Sequence, residues 1–234
     1  MKWTHIYFDL DNTLYDHELA FQKTIKHCAK EMLDRKGSEI SPAQWFNVFK
    51  RYCDQFWENY ENGKWSRGTY QIQRYCKANE EFDLSCSEEE ALAFQREYQL
   101  KVASYAELYS KASLLLSRLQ LRNIHLGIIT NGRKQTQMAK IEALRMLQWF
   151  PRENIFISEE VGLAKPEIDF FNYVRKEEGR YLYIGDTWEH DIEPAIEAGF
   201  DTIYFNSRNE QIEQSIKHVP EVSTYQHLLN LLRV

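Results

Sequence analysis

Short apolar, β-prone runs alternate with helical periodicities over the second half of the chain. The first such run comes at the very start: His5-Ile6-Tyr7-Phe8, ending on acidic Asp9. It predicts a short buried strand. Four further runs follow only after a long interval, at residues 125–130, 154–158, 181–185 and 202–205. Helical patterns fall between them at 134–144, 166–178 and 192–198, with Pro166 suited to a first helical turn and Gly199 to a helix stop. Strands alternating with helices predict a parallel sheet covered by helices on both faces.

Residues 17–104 follow another rule. Phe21, Ile25, Cys28 and Met32 recur at helical spacing, and Trp45, Val48, Phe49, Tyr52, Phe56 and Tyr60 form one broad stripe. Further helices are expected at 70–78 and 88–107, with Gly63, Gly68 and the polar stretch 79–87 as punctuation. The expected architecture is α/β. A Rossmann-like parallel core takes residues 1–15 and 106–234, and an all-helical domain of residues 16–105 is inserted after the first strand.

Composition narrows the functional classes. The 234 residues are 43% hydrophobic and 14% aromatic, enough for a sizeable core. A formal net charge of -6 excludes the global basic footprint of a binder of polymeric nucleic acid. No run approaches 18 apolar residues, so no membrane span is expected. The N-terminus runs directly into the first strand without a signal-peptide pattern. The four cysteines, Cys28, Cys53, Cys76 and Cys86, contain no CxxC pair and are expected to be reduced, buried thiols. A cytoplasmic protein follows from these readings, as a monomer or small homo-oligomer.

The chemically capable residues gather at one place in this scheme. Asp9-Leu10-Asp11-Asn12-Thr13-Leu14 stands where the first strand ends, Thr130-Asn131-Gly132 where the second ends, and Asp186 after the run 181–185, with Asp191 five residues on. Lys165 precedes Pro166 after another strand. Ligands of open α/β sheets bind outside the carboxyl ends of the strands. Asp9, Asp11, Asp186 and Asp191 converging there would repel one another without a counterion, and hard carboxylate oxygens suit Mg²⁺.

The ordered set Asp9-x-Asp11-x-Thr13-Leu14, Thr130, Lys165-Pro166 and Gly185-Asp186-x₄-Asp191 resembles the four-motif signature of the haloacid dehalogenase superfamily and spans nearly the whole chain. The helical insertion resembles the cap that one subfamily places between its first two motifs. The resemblance implies a phosphatase that uses Mg²⁺. Asp9 would be the nucleophile and a metal ligand. Asp11 would be the general acid and base, its backbone carbonyl also on the metal. Thr130 would bind phosphoryl oxygens, with Asn131 beside it in the substrate site. Lys165 would neutralise the nucleophile and the phosphoryl charge, and Asp186 would complete the metal site. Asp191 is left as a support of that site or an orienting partner of Lys165. The presence of Asp11 favours phosphate esters over halides, since a halide leaves without a proton.

The remaining side chains carry blander expectations. Arg133 shapes a loop and His190 faces solvent. Lys64, Arg67 and Arg74 are surface charges. The aromatics Trp45, Trp57, Tyr60, Trp65 and Tyr70 are mostly core. The substrate is expected to be a small phosphorylated metabolite, on the softer likeness to nucleotidase members a nucleoside 5'-monophosphate. The alternatives are a phosphosugar mutase of the same superfamily, a non-catalytic binding or regulatory module on this fold, and a phosphoacceptor receiver domain. The last would lack the long helical insertion.

Overall fold

Six parallel strands make the sheet: β1 (His5–Phe8), β2 (His125–Thr130), β3 (Ile155–Ile157), β4 (Tyr181–Gly185), β5 (Asp201–Phe205) and β6 (Glu221–Val222). The structure, a computed structural model, describes residues 2–175, 178–211 and 219–234. The strand order is β3-β2-β1-β4-β5-β6, all pairs parallel. β1 and β4 are buried along their whole length. That is why their sequences are unbroken apolar runs and not alternating ones: helices cover both faces of a parallel sheet. β6 was not foreseen, because two residues are too few to carry a periodicity.

The chain forms two compact units, Met1–His17 with Ala106–Val234, and Glu18–Tyr105. The second unit is helical: α1 (His17–Arg35, entering it from residue 18), α2 (Pro42–Glu61), α3 (Arg67–Glu80) and α4 (Glu88–Lys101), followed by a 3₁₀ turn, Val102–Tyr105. Local chemistry sets these helix starts. Ser41 and Gln44 make a reciprocal capping box with Pro42 in the first turn, and Ser87 and Glu90 make another. The core of this unit is aromatic: the Trp45 ring lies 4.9 Å from Phe49 and 5.3 Å from Phe94.

Two expectations fail in this unit. Cys76 and Cys86 form a disulfide, with Cα atoms 5.4 Å apart. Only Cys28 and Cys53 are free thiols, both buried. Nine residues stand between Cys76 and Cys86 in sequence, but the chain folds back between α3 and α4 and returns the second sulfur to the first. The bond also removes one ground for expecting a reducing compartment. Arg74 is not a surface charge. It is 7% exposed, lies over the Phe49 and Tyr70 rings, and bonds Gln95 Oε1 at 2.7 Å. Its position on α3 faces α2, where an arginine's flat, weakly hydrated head can stack.

The core unit adds α5 (Ala112–Gln120), α6 (Lys134–Ala143), α7 (Ser158–Val161), α8 (Ile168–Val174), α9 (Glu193–Glu197) and α10 (Tyr225–Leu232). Tyr7, Ile129, Phe170, Phe171, Tyr183 and Phe200 lie in one buried cluster between the sheet and this layer. Pro166 lies outside α8, contrary to its expected place in a first helical turn. The Lys165–Pro166 peptide is cis. The Glu167 N–H bonds Ala164 O at 2.8 Å in a turn before the helix begins. Of the helix expected at 166–178, residues 176–177 lie outside the described residues. No described helix is long and apolar enough to cross a membrane.

Candidate active site

The strand order reverses direction at β1, which lies between β2 and β4. Open α/β sheets place their binding crevice at such a switch point. In the register, Phe8 stands opposite Ile128 on one side and Ile184 on the other. Asp9 therefore emerges between the ends of β2 and β4, its N–H bonded to Ile184 O at 2.9 Å. Asp186 follows β4, and Thr130 is the last residue of β2. Asp191 sits on a single π-helical turn, Trp188–Ile192, its N–H bonded to Thr187 O at 2.9 Å. Gly185 allows this close return: a Cβ there would lie 2.5 Å from Asp191 Cβ.

Asp9, Asp186 and Asp191 each bring a carboxylate oxygen within 4.8 Å of the others. All three are buried. Lys165 Nζ lies among them, 2.6 Å from Asp9 Oδ1 and 2.5 Å from Asp191 Oδ1. It also donates to the Tyr183 hydroxyl at 3.1 Å, and that hydroxyl bonds Asp191 Oδ1 at 2.9 Å. Asp191 thus meets Lys165 directly and also belongs to the acidic trio, in contact with both of the places left open for it. Asn131 fixes the lysine from behind: its Nδ2 donates to Lys165 O at 2.8 Å and its Oδ1 accepts from Lys165 N at 2.9 Å. Both ends of the Asn131 amide, expected at the substrate, are engaged with that backbone. Arg208, from the turn after β5, reaches Asp186 Oδ2 at 2.9 Å.

Burial lifts Asp9 to about 7; Lys165 opposes the rise, while Asp191 and Asp11 add to it. Asp186 is pushed well above the ordinary carboxylate range by burial, then by Asp9 and Asp191, against Arg208 and Lys165. Lys165 is raised despite burial, which alone would lower it, because Asp191 and Asp9 hold its proton. Among the described residues, Lys165 and Arg208 are the counter-charges paired with these three buried carboxylates, which at this spacing leaves them strongly frustrated. An all-oxygen donor set of this kind fits a hard divalent cation, and Mg²⁺ in particular takes one or two protein carboxylates. The residues present therefore fit the expected metal.

Asp11 occupies different surroundings and is outside that trio. Lys140 Nζ lies 2.8 Å from Asp11 Oδ1 and 2.9 Å from Oδ2. Gln137 Nε2 donates to Oδ2 at 3.2 Å, and the Tyr15 hydroxyl donates to Oδ1. His17 Nδ1 is 3.6 Å from Oδ1. Burial would raise Asp11, but Lys140 and His17, with the bonds from Lys140 and Tyr15, outweigh it and hold the carboxyl well below its usual range. His17 itself is lowered to about 4, first by burial, against the pull of Asp11.

Tyr15, His17, Gln137, Lys140, Tyr183 and Arg208 were not foreseen. One signal existed for two of them. α6 buries Gln137, Lys140 and Ile141, so two of the three residues on its inner face are polar, which a helix covering a sheet does not need. Of the other candidates, Arg133 is exposed, and His190 is half-buried where solvent was expected.

The model of the haloacid dehalogenase-like hydrolases matches residues 3–199. Over 237 residues the chain is 28% identical to the pyrimidine 5'-nucleotidase YjjG of Escherichia coli, covering 99% of each protein. It is 25% identical to the pyrimidine 5'-nucleotidase PynA of Streptococcus pneumoniae, covering 99% of this chain and 96% of that one. The crystal structure of YfnB from Bacillus subtilis, bound to magnesium, superposes with a TM-score of 0.79 at 23% identity over the whole of both chains. With its parallel sheet and its match across most of its length, this chain belongs to the haloacid dehalogenase-like hydrolases.

Proposed function

We propose that this enzyme, a phosphoric monoester hydrolase, uses Mg²⁺ and an aspartyl-phosphate intermediate on Asp9 to hydrolyse a nucleoside 5'-monophosphate. The observation that carries the reading is Lys165, buried and ion-paired to both Asp9 and Asp191 at the strand ends. A buried lysine beside a carboxylate that must approach a phosphate dianion serves phosphoryl transfer, which is mostly positioning and charge stabilisation.

Asp9 attacks phosphorus in line with the ester bond. That bond breaks, and Asp11 gives its proton to the departing alkoxide. Asp11, now ionised, takes a proton from water as the water oxygen attacks the same phosphorus, and the Asp9–phosphorus bond breaks to release phosphate. Lys165 and the Thr130 hydroxyl balance the phosphoryl oxygens. Mg²⁺, which Asp9, Asp186 and the backbone carbonyl of Asp11 would hold, would supply further positive charge to those oxygens. The Lys140 contact favours ionised Asp11, the form the second half-reaction needs. The first half needs the protonated form, and a bound phosphate dianion favours proton uptake. For the substrate, two relatives named as pyrimidine 5'-nucleotidases support a nucleotide.

The test is phosphate release from a panel of monoesters. Release should stop on dialysis against a chelator and return with Mg²⁺. Asp9→Asn should lose on the order of 10³-fold or more while keeping the fold, as single knockouts of a concerted set do. Turnover within about tenfold of wild type in that variant would remove Asp9 as nucleophile. Full activity after chelation would remove the metal.

A further inference from the structure

Lys140 has so far entered only through the charge it lends to Asp11, yet its side chain is 4% exposed. Burying an ammonium group is costly unless it is closely paired. Its partner is Asp11, bonded through both oxygens, while the Asp11 side chain keeps 26% of its surface accessible. The carboxylate is thus gripped on one side and open on another.

Gln137, one turn earlier on α6, closes the arrangement. Its Oε1 accepts from Lys140 Nζ at 2.8 Å, and its Nε2 donates to Asp11 Oδ2 at 3.2 Å and to Thr130 Oγ1 at 2.7 Å. One amide therefore joins the carboxylate after β1 to the hydroxyl at the end of β2. The Tyr15 hydroxyl completes the grip on Asp11 Oδ1. A core pair needing only charge balance would not require this second link to Thr130.

We infer that Lys140, with Gln137, is a positioning residue that aims the Asp11 carboxyl at the leaving-group oxygen and ties it to the phosphoryl-binding Thr130. The inference rests on the proton-transfer role given to Asp11 above. A side chain with two oxygens and a free χ1 has several rotamers. Three donors making four hydrogen bonds fix one of them, and misplacing a catalytic group by about 1 Å can cost about 10²-fold in rate.

The experiment compares an alkyl phosphate, which needs a proton on its leaving group, with an activated aryl phosphate, which does not. In Lys140→Met the alkyl-to-aryl ratio of kcat should fall about tenfold or more, short of the full contribution of general acid catalysis. Lys140→Arg should restore part of it. Asp11→Asn added to Lys140→Met should lower the ratio by less than Asp11→Asn does in the wild type, since the two changes remove one function. Gln137→Met should move the ratio in the same direction and carries the test if Lys140→Met does not fold, as judged by circular dichroism and Tm. A wild-type ratio in a folded Lys140→Met or Gln137→Met would overturn the inference. Failure of both variants to fold would also overturn it, since the pair would then be part of the folding core. If instead Asp9→Asn retains turnover, or the wild type releases no phosphate, the functional reading fails and the inference falls with it; a wild-type ratio in an active, folded Lys140→Met overturns the inference alone.

Discussion

Asp9 is held near neutrality at about 7, by burial first and then by Asp191 and Asp11, with Lys165 opposing. A metal ligand must be ionised, so binding expels whatever proton the carboxyl holds. Below pH 7 most of the metal-free protein carries that proton, and above it little does. Apparent Mg²⁺ affinity should therefore rise with pH, by about tenfold between pH 6 and pH 8 for this one proton. Asp186, raised well above its ordinary range, adds to the rise in the same direction. Calorimetric titration in two buffers of different ionisation enthalpy measures both the affinity and the protons released. A flat affinity with no proton release would mean that Asp9 is already ionised in the free protein. Asp9 and Asp11 are legible in sequence because a strand end and two acids fit within three residues. Lys140 and Tyr183 are not, because a lysine ten residues past a strand, or a tyrosine inside one, gains its meaning only when the sheet and α6 bring it to a carboxylate.

The element that joins β4 to α9 is built around one missing side chain. Asp191 Cβ occupies the space that a Cβ on Gly185 would need, at 2.5 Å. Gly185→Ala must displace Asp191, and with it the 2.5 Å contact to Lys165 and the 2.9 Å contact to Tyr183. kcat should drop by about 10²-fold, as for a shift of about an ångström in a catalytic group, and stability by about 1–3 kcal/mol, as for overpacking. Wild-type kcat in a folded Gly185→Ala would show that Asp191 does not hold Lys165. The α3–α4 hairpin gives a second expectation. Denatured protein alkylated without reductant should show two reactive thiols, Cys28 and Cys53, and after reduction all four. Reduction of the ten-residue closure should cost about 2–3 kcal/mol on the loop-entropy model. Four thiols before reduction would leave the pair open. The parallel sheet was legible from its apolar runs and the long helical stripes from their spacing. β6 and the Cys76–Cys86 pairing were not, because the first is two residues long and the second depends on how two helices meet.

At the scale of the whole molecule, a net charge of -6 works against attraction of any phosphate. The site must therefore offset that charge locally, and substrate choice must draw on contacts beyond the phosphate. The helical unit has rings to spare. Of the ten aromatics from Trp45 to Tyr75, five are buried, while Tyr52, Phe56, Trp57, Tyr60 and Trp65 keep exposed surface, Trp57 as much as 46%. These five also pack on one another or on Tyr70, Phe56 against Trp65 at 5.1 Å and Trp57 against Tyr60 at 5.4 Å, and on the proposed nucleotide reading one of them would supply the stacking face. Stacking of a nucleobase is worth ~1–3 kcal/mol by analogy with nucleic-acid-binding proteins. If the stack persists in the transition state, that becomes about 5- to 150-fold in kcat/KM. Uridine and thymidine 5'-monophosphates should therefore exceed glucose and ribose phosphates by that factor, at equal phosphate charge and saturating Mg²⁺, with purine nucleotides behind the pyrimidines. A sugar phosphate presents the same dianion to Lys165 and Thr130 but no face to a ring, so the comparison isolates the base. Sugar phosphates turned over as well as the nucleotides would defeat the nucleotide reading and leave the phosphate chemistry of Asp9 intact.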